Sequence, residues 1–357
     1  MPKWLTAALG AALVLVLVVV GVVGGMRWWR DAHRTDLQEA VGRAPHGSLR
    51  MSWTDWAGVR RELGSDVDAD STADEVSGFL SDGFDADLTS TSALVQSAPL
   101  LQERFGFSPA SVDWELFSQG DTGAVVMLHL PSSYDFDALA DRLARLGYAE
   151  PSTDTGVWRG GDNVLARIGA LGDGLTPELS YLALDADDGL VLASDTADFL
   201  RSAVADASGD GGGVDGLEDV VDASGEPLSA AIYTGDYACE ALAMGQADGT
   251  DQQQADELVA AAGKVNPLTG FAMASQPGGH VRVAMSFESD DQARTNADSR
   301  AELARGPAPG QGGDFSDRFT LGDVEADGSV VTMDLKPVEG QFVLSDLSTG
   351  PVLFATC

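Results

Sequence analysis

Lysine is almost missing from this chain. Only Lys3, Lys264 and Lys336 are present, and 56 acidic residues outweigh 21 lysines and arginines for a formal charge of −35. A field of that sign repels nucleic acid phosphates and anionic lipid headgroups, so generic binding to either is excluded. Basic protein surfaces, cationic peptides and small cations remain compatible with it. Histidine is also scarce: His33, His46, His129 and His280 are the full set. No H-E-x-x-H, H-x-H or C-x-x-C spacing joins them, which leaves a transition-metal site unsupported. G-x-S-x-G, S-x-x-K and kinase signatures are absent, and no G-x-G-x-x-G or Walker spacing follows a predicted strand. The sequence therefore supplies no catalytic residue, no metal ligand and no cofactor site.

What is present begins with Trp4–Gly25, WLTAALGAALVLVLVVVGVVGG, 22 residues without a charge. About 20 such residues span a bilayer core as a helix. The run is long for a signal peptide, lacks an A-x-A cleavage pattern, and is followed by Trp28 and Trp29 at the interfacial position. It reads as an uncleaved single-pass anchor through which the chain meets the membrane. Orientation signals conflict: Arg27, Arg30 and Arg34 after the span point the bulk of the chain inward, whereas the three-residue tail before it and the cysteine usage point it outward. The reading taken is a cell-membrane protein with its bulk extracytoplasmic.

Cysteine is limited to Cys239 and Cys357. A single pair in an exported domain reads as a disulfide, here one closing a long loop and restraining the C-terminus. The competing reading is two unrelated thiols. Neither cysteine has a histidine beside it in any nucleophile motif.

Hydrophobic residues make up 44% of the chain, enough for a packed core. Three pairs of segments echo one another in order. WTDWAGVRREL (residues 53–63) parallels YTGDYACEALA (233–243). Residues 116–147 and 271–306 each read as strand, Gly-containing turn, strand, Ser or Asp cap, and helix. Residues 179–203 and 329–356 each read as two strands across a turn followed by Ser-Asp. The expected fold is α+β: a transmembrane helix, then two tandem, related repeats, each an antiparallel sheet with helices on one face. The expected organisation is an N-terminal tail 1–3, anchor 4–25, juxtamembrane linker 26–46, first repeat 47–205 with an acidic insertion 65–91, Gly/Asp-rich linker 206–227, and second repeat 228–357.

With its Trp4–Gly25 anchor, its SWTDWAGVRREL segment and its VRVAMSFESDDQARTNADSRAEL strand–helix corner, the chain resembles membrane-anchored extracytoplasmic proteins of unknown function from high-GC Gram-positive bacteria (actinobacteria). That resemblance implies a location and an architecture and brings no activity with it.

Three local features needed a choice between fold and site. Trp53 and Trp56, matched with Tyr233 and Tyr237, read as packing residues around a helix start capped by Thr54 or Asp55; a stacking surface is the alternative. Arg60 and Arg61 have no counterpart in the second repeat and read as solvent-facing. Asp66, Asp68, Asp70 and Asp74 fall at positions 1, 3, 5 and 9 of a calcium-loop pattern, but Ser71 and Ser77 stand where glycine and glutamate are needed, so a solvated acidic loop is expected. The functional reading is a non-enzymatic interaction or envelope protein, whose partner is an envelope protein or a small ligand. A ligand-binding module using a cleft between the repeats is the alternative, and a hydrolase with an unidentified carboxylate pair is the third.

Overall fold

The computed structural model describes residues 34–153, 156–170, 174–208, 213–214 and 216–357. The anchor expected at Trp4–Gly25 and His33 lie outside the described residues. Among those described, no helix is long and apolar enough to cross a membrane.

Eleven strands among the described residues form one antiparallel sheet. They are β1 (Ser48–Thr54), β2 (Trp114–Gly120), β3 (Gly123–His129), β4 (Val157–Arg159), β5 (Tyr181–Asp185), β6 (Leu190–Ser194), β7 (Ser229–Thr234), β8 (Gly270–Gln276), β9 (His280–Ser286), β10 (Phe319–Asp327) and β11 (Val330–Pro337). The order is β10-β11-β9-β8-β7-β1-β2-β3-β6-β5-β4. Outward from the central β1–β7 pair, each side runs first strand, hairpin, then a second hairpin entered from its far strand; β4 extends one side only. The chain therefore builds a single continuous sheet rather than two separate ones.

The helices cover both faces, which corrects the expectation of one. On one face, the helices Trp56–Leu63, Ala73–Asp85, Phe136–Leu146 and Gly161–Gly169 bury a core with Val126, Leu128 and Leu182. Beside it on the same face, Gly235–Ala241, Gly249–Ala262, Asp290–Leu303 and Val343–Leu347 bury a second core with Phe271, Met273 and Val283. On the other face, Asp36–Gly42, Ala197–Ala207 and Glu218–Ser224 cover Met51, Trp53, Met127, Ile232, Ala272 and Ala274. A central strand with apolar side chains on both sides needs cover on both; β8 is buried at all seven positions.

Two of these covering helices lie in segments whose composition reads as linker. Asp36–Gly42 carries a complete capping box from Thr35 and Gln38 and buries Leu37, Ala40 and Val41. Glu218–Ser224 buries Val220 and Val221 against the alanines of β8 and β9. The acidic insertion holds a third: Ala73–Asp85, capped by Thr72, sends Val76, Phe79 and Leu80 into the core.

The C-terminal segment also departs from expectation. The hairpin matching β5–β6 is β10–β11, not a pair within 329–356. After β11 the chain forms the helix Val343–Leu347 and a 3-10 turn at Leu353–Ala355, where the second strand of 329–356 was expected to run before its Ser-Asp. Val343, Leu344 and Leu347 recur at helical spacing and all three are buried, so the period of the helix outweighs the β-rich composition.

Two fastenings hold this C-terminal segment. Cys239 and Cys357 are joined in a disulfide with Cα atoms 5.4 Å apart. Arg300, with no exposed surface, donates to Phe354 O at 2.6 Å, Asn266 O at 2.7 Å and Asn296 Oδ1 at 3.1 Å. Its guanidinium lies 5.3 Å over the Phe287 ring, and burial pushes its pKa down to about 9. All three acceptors are neutral, so the planar fork is what satisfies the charge. Lysine cannot reach three divergent acceptors. Arg300→Lys is expected to cost roughly 2–3 kcal/mol in urea unfolding of the oxidised protein at an unchanged m-value.

Candidate functional site

Where the two halves meet, the helix-rich face is closed by residues from far apart in sequence. Just past the helix Ala73–Asp85 and its cap Ala86, Asp87 has a left-handed φ of +57°, a conformation that aspartate tolerates better than most residues. The turn aims its carboxylate across the junction at the first turn of Val343–Leu347. Oδ2 accepts from Leu344 N at 2.7 Å and Oδ1 from Ser345 N at 3.2 Å, and the Ser345 hydroxyl also donates to Oδ1. Phe84 and Phe342 pack beside this clamp with ring centroids 5.5 Å apart. Asp87 is only 8% exposed. Burial raises its pKa above the ordinary range, although the bonds from Ser345 and Leu344 work against the shift.

A second buried carboxylate organises the first half. Glu115 on β2 is fully buried and accepts from Trp56 Nε1 at 3.0 Å, Ser92 Oγ at 2.7 Å and Ala93 N at 2.7 Å. Desolvation raises its pKa, again opposed by those donors. Glu115 thus fastens a helix start and an irregular loop to the sheet. An isolated acid inside WELF is the signal that marks it in sequence.

On the opposite face, a small concavity of about 190 Å3 is lined by Arg34, Thr35, Asp36, Leu37, Trp53, Glu226 and Pro227. Nearby, His129 Nδ1 lies 3.1 Å from Asp113 Oδ2, and the ring stacks on Trp114 at 5.4 Å. The volume falls below the range of about 300–1,000 Å3 typical of small-molecule sites. A His–Asp pair needs a nucleophile or substrate group on its other nitrogen to act as a catalytic base; the Nε2 edge of His129 faces Gly189, where a side-chain Cβ would lie 3.3 Å from it.

The remaining sequence candidates resolve individually. Trp53 and Trp56 are both buried: Trp53 Nε1 donates to Pro227 O at 3.0 Å, and Trp56 begins the helix capped by Asp55 Oδ1, which accepts from Gly58 N at 2.7 Å. The match of Trp53 with Tyr233 is off by one. Trp53 packs on the face shared with Ile232, whereas Tyr233 packs on the other and donates through its hydroxyl to Ser348 O. One residue of slip flips a strand side chain across the sheet. Arg60 is not solvent-facing: it donates to Pro109 O at 2.6 Å and Val112 O at 2.9 Å, while Arg61 is exposed. The acidic segment is not a single loop, because Asp74 and Ser77 lie inside the helix Ala73–Asp85. Among the described residues, no group of three His, Cys, Asp or Glu is arranged to hold a metal ion. His46 Nδ1 contacts Gly213 O at 3.0 Å, and His280 opens β9.

No protein-family model matches this chain, and no curated protein matches it. A solved structure titled "Structure of crystal form I of TP0453" is similar at a TM-score of 0.40 and 7% identity, over 86% of this chain and 96% of that one. A likeness at that level carries no functional argument.

Two tests follow from the Asp87 clamp. Asp87→Ala removes the acceptors and leaves a left-handed alanine, for an expected loss of about 2–3 kcal/mol. Asp87→Asn keeps an acceptor and the tolerated backbone, so it is expected to lose at least about 1 kcal/mol less by equilibrium denaturation. The pH response is also set. Because the folded-state pKa is raised, the native state binds the proton more readily than the unfolded chain. The contribution of Asp87 is therefore full below its unfolded pKa and is lost as pH rises through the folded value. Comparing wild type with Asp87→Asn by thermal unfolding across acidic pH, the wild type is expected to gain on the variant as pH falls. A wild type that loses ground would reverse the assignment.

Proposed function

We propose that this chain is a membrane-tethered, extracytoplasmic interaction protein without an enzymatic role, its two related halves forming one rigid platform. The observation that carries this reading is the Cys239–Cys357 disulfide, since both cysteines of the chain are spent on one bond and such bonds persist in oxidising compartments. The uncharged run Trp4–Gly25 supports a single span, with Thr35 already capping the first described helix ten residues after it. The matching outward order of strands from β1 and β7 supports descent from a tandem duplication. The Asp87 clamp supports a platform over a cleft binder, because it fills the junction where a cleft would have to open. The −35 charge favours a basic partner surface.

The test is non-reducing peptide mass spectrometry on protein from native membranes, with free thiols alkylated at lysis. The expected product is a single cross-linked peptide joining Cys239 to Cys357. Recovery of both residues alkylated would overturn the extracytoplasmic placement.

A further inference from the structure

One edge of the sheet is long, open and chemically patterned. β10 is the last strand on its side, and no described strand pairs with its outer edge. Its register with β11 places Glu325 opposite Thr332 and Asp327 opposite Val330, while Val324 faces Met333 and Ala326 faces Val331. Paired residues share a face. Met333 and Val331 belong to the helix-covered core, with Leu321 and Val324 packed at its rim. Glu325 and Asp327 therefore stand on the opposite face, and Asp323 adds a carboxylate just before them, inside the register irregularity. All three carboxylates are exposed. A register irregularity between Leu321 and Val324 separates this stretch from the start of the strand, leaving Val324–Asp327 in regular pairing.

We infer that the outer edge of β10 is a docking surface for an extended basic segment of a partner protein, added as a twelfth strand with alternating basic and apolar residues. The edge supplies unpaired backbone donors and acceptors, the feature used in strand-addition recognition. Its side chains select the occupant. A basic residue at every second position meets Glu325 and Asp327 on one face, with Asp323 next to them in the chain, and the residues between lie beside Val324 and Ala326 on the other. A second copy of this chain is disfavoured at the same edge, since antiparallel pairing of β10 with itself sets carboxylate against carboxylate. With 21 basic residues against 56 acidic ones, the chain has little of the required pattern to offer itself. The inference names the partner chemistry of the interaction reading above and rests on it, but peptide binding in solution is independent of the side of the membrane and of the disulfide map.

The test uses the full oxidised chain in detergent or nanodiscs and a fluorescent peptide of about nine residues alternating lysine and valine. Three peptide controls accompany it: the same composition in two blocks, the same alternation with every second amide N-methylated, and glutamate in place of lysine. Anisotropy is expected to show salt-sensitive binding of the alternating peptide, with each control weaker by about tenfold or more. The Glu325→Lys/Asp327→Lys double variant, altered only at exposed positions, is expected to weaken binding by a similar factor. Amide hydrogen exchange in the unaltered protein is expected to slow within residues 323–327 when the alternating peptide is bound. Equal binding of the block or N-methylated peptide would reduce the effect to attraction by overall charge and overturn the site. So would absence of binding, or protection confined to another part of the chain.

Discussion

The pairing of β1 with β7 is the constraint on which the remainder depends. Five residue pairs, from Arg50–Tyr233 to Thr54–Ser229, join the halves by a backbone ladder at the middle of the sheet. Two further bonds secure the same place: Trp53 Nε1 to Pro227 O at 3.0 Å and Asp55 N to Leu228 O at 2.8 Å. On one face of this seam the large ring of Trp53 lies opposite the small Ala230, while Met51 meets the similarly sized Ile232. A large ring laid over a small neighbour lets the strands stay close while the ring fills the space above them. Once the seam forms, all strands of both halves lie in one sheet, and both faces of that sheet have to be covered.

That requirement explains where the buried polar groups sit. Asp87, Glu115 and Arg300 each tie a segment outside the sheet to another part of the fold, and each has several hydrogen-bond partners. Burying a charged group is costly unless its bonding capacity is met. Each such group favours the loop position in which its bonds are made over positions that would leave it buried and unsatisfied. Asp87 selects the position of Val343–Leu347, Glu115 that of the Ser92–Ala93 turn, and Arg300 that of the last residues before the disulfide. Asp87 holds the free N–H groups of a helix start and Arg300 a carbonyl of a 3-10 turn, sites where free backbone groups are available to bond, while Glu115 holds the Trp56 indole and the Ala93 N–H.

The α+β class, the antiparallel hairpins and the cysteine pair were legible from alternation, turn residues and cysteine count. Asp135 and Ser289 cap their helices where the sequence pattern placed a cap. The second covered face was not fully legible, because two of its three helices, Asp36–Gly42 and Glu218–Ser224, are only two turns long. At that length, periodicity is short of the window needed to separate a helix from a polar connector. The offset between Trp53 and Tyr233 was hidden for a different reason: matching aromatics by type ignores strand parity, which only the pairing register reveals. Asp87 was hidden because its meaning lies 257 residues away in sequence, at Leu344. A single acid in an acid-rich insertion carries no local mark of the partner it will cap.

The two halves, alike in strand order, are finished differently at their outer limits. After β6 the chain turns back over the face opposite the main helices, and Ala197–Ala207 buries Leu200 and Ala203 there. After β11 it crosses to the main helical face instead, where Val343–Leu347 meets Asp87. The outer strands of the second half therefore keep a largely polar face, where Val330 packs at the rim of the core under Glu218–Ser224 and Arg282 pairs with Asp334 at 3.0 Å. The sheet edges differ in the same way: β4 is three residues long, whereas β10 runs for nine. A short edge offers little backbone to pair with, so β4 needs no charge to protect it. A long edge needs protection, and Asp323, Glu325 and Asp327 provide it against self-association while leaving the backbone accessible. The asymmetry gives the strong acidity of this chain a local consequence. Spread over the surface, negative charge repels other acidic surfaces; aligned along β10, it decides which strand the edge will accept.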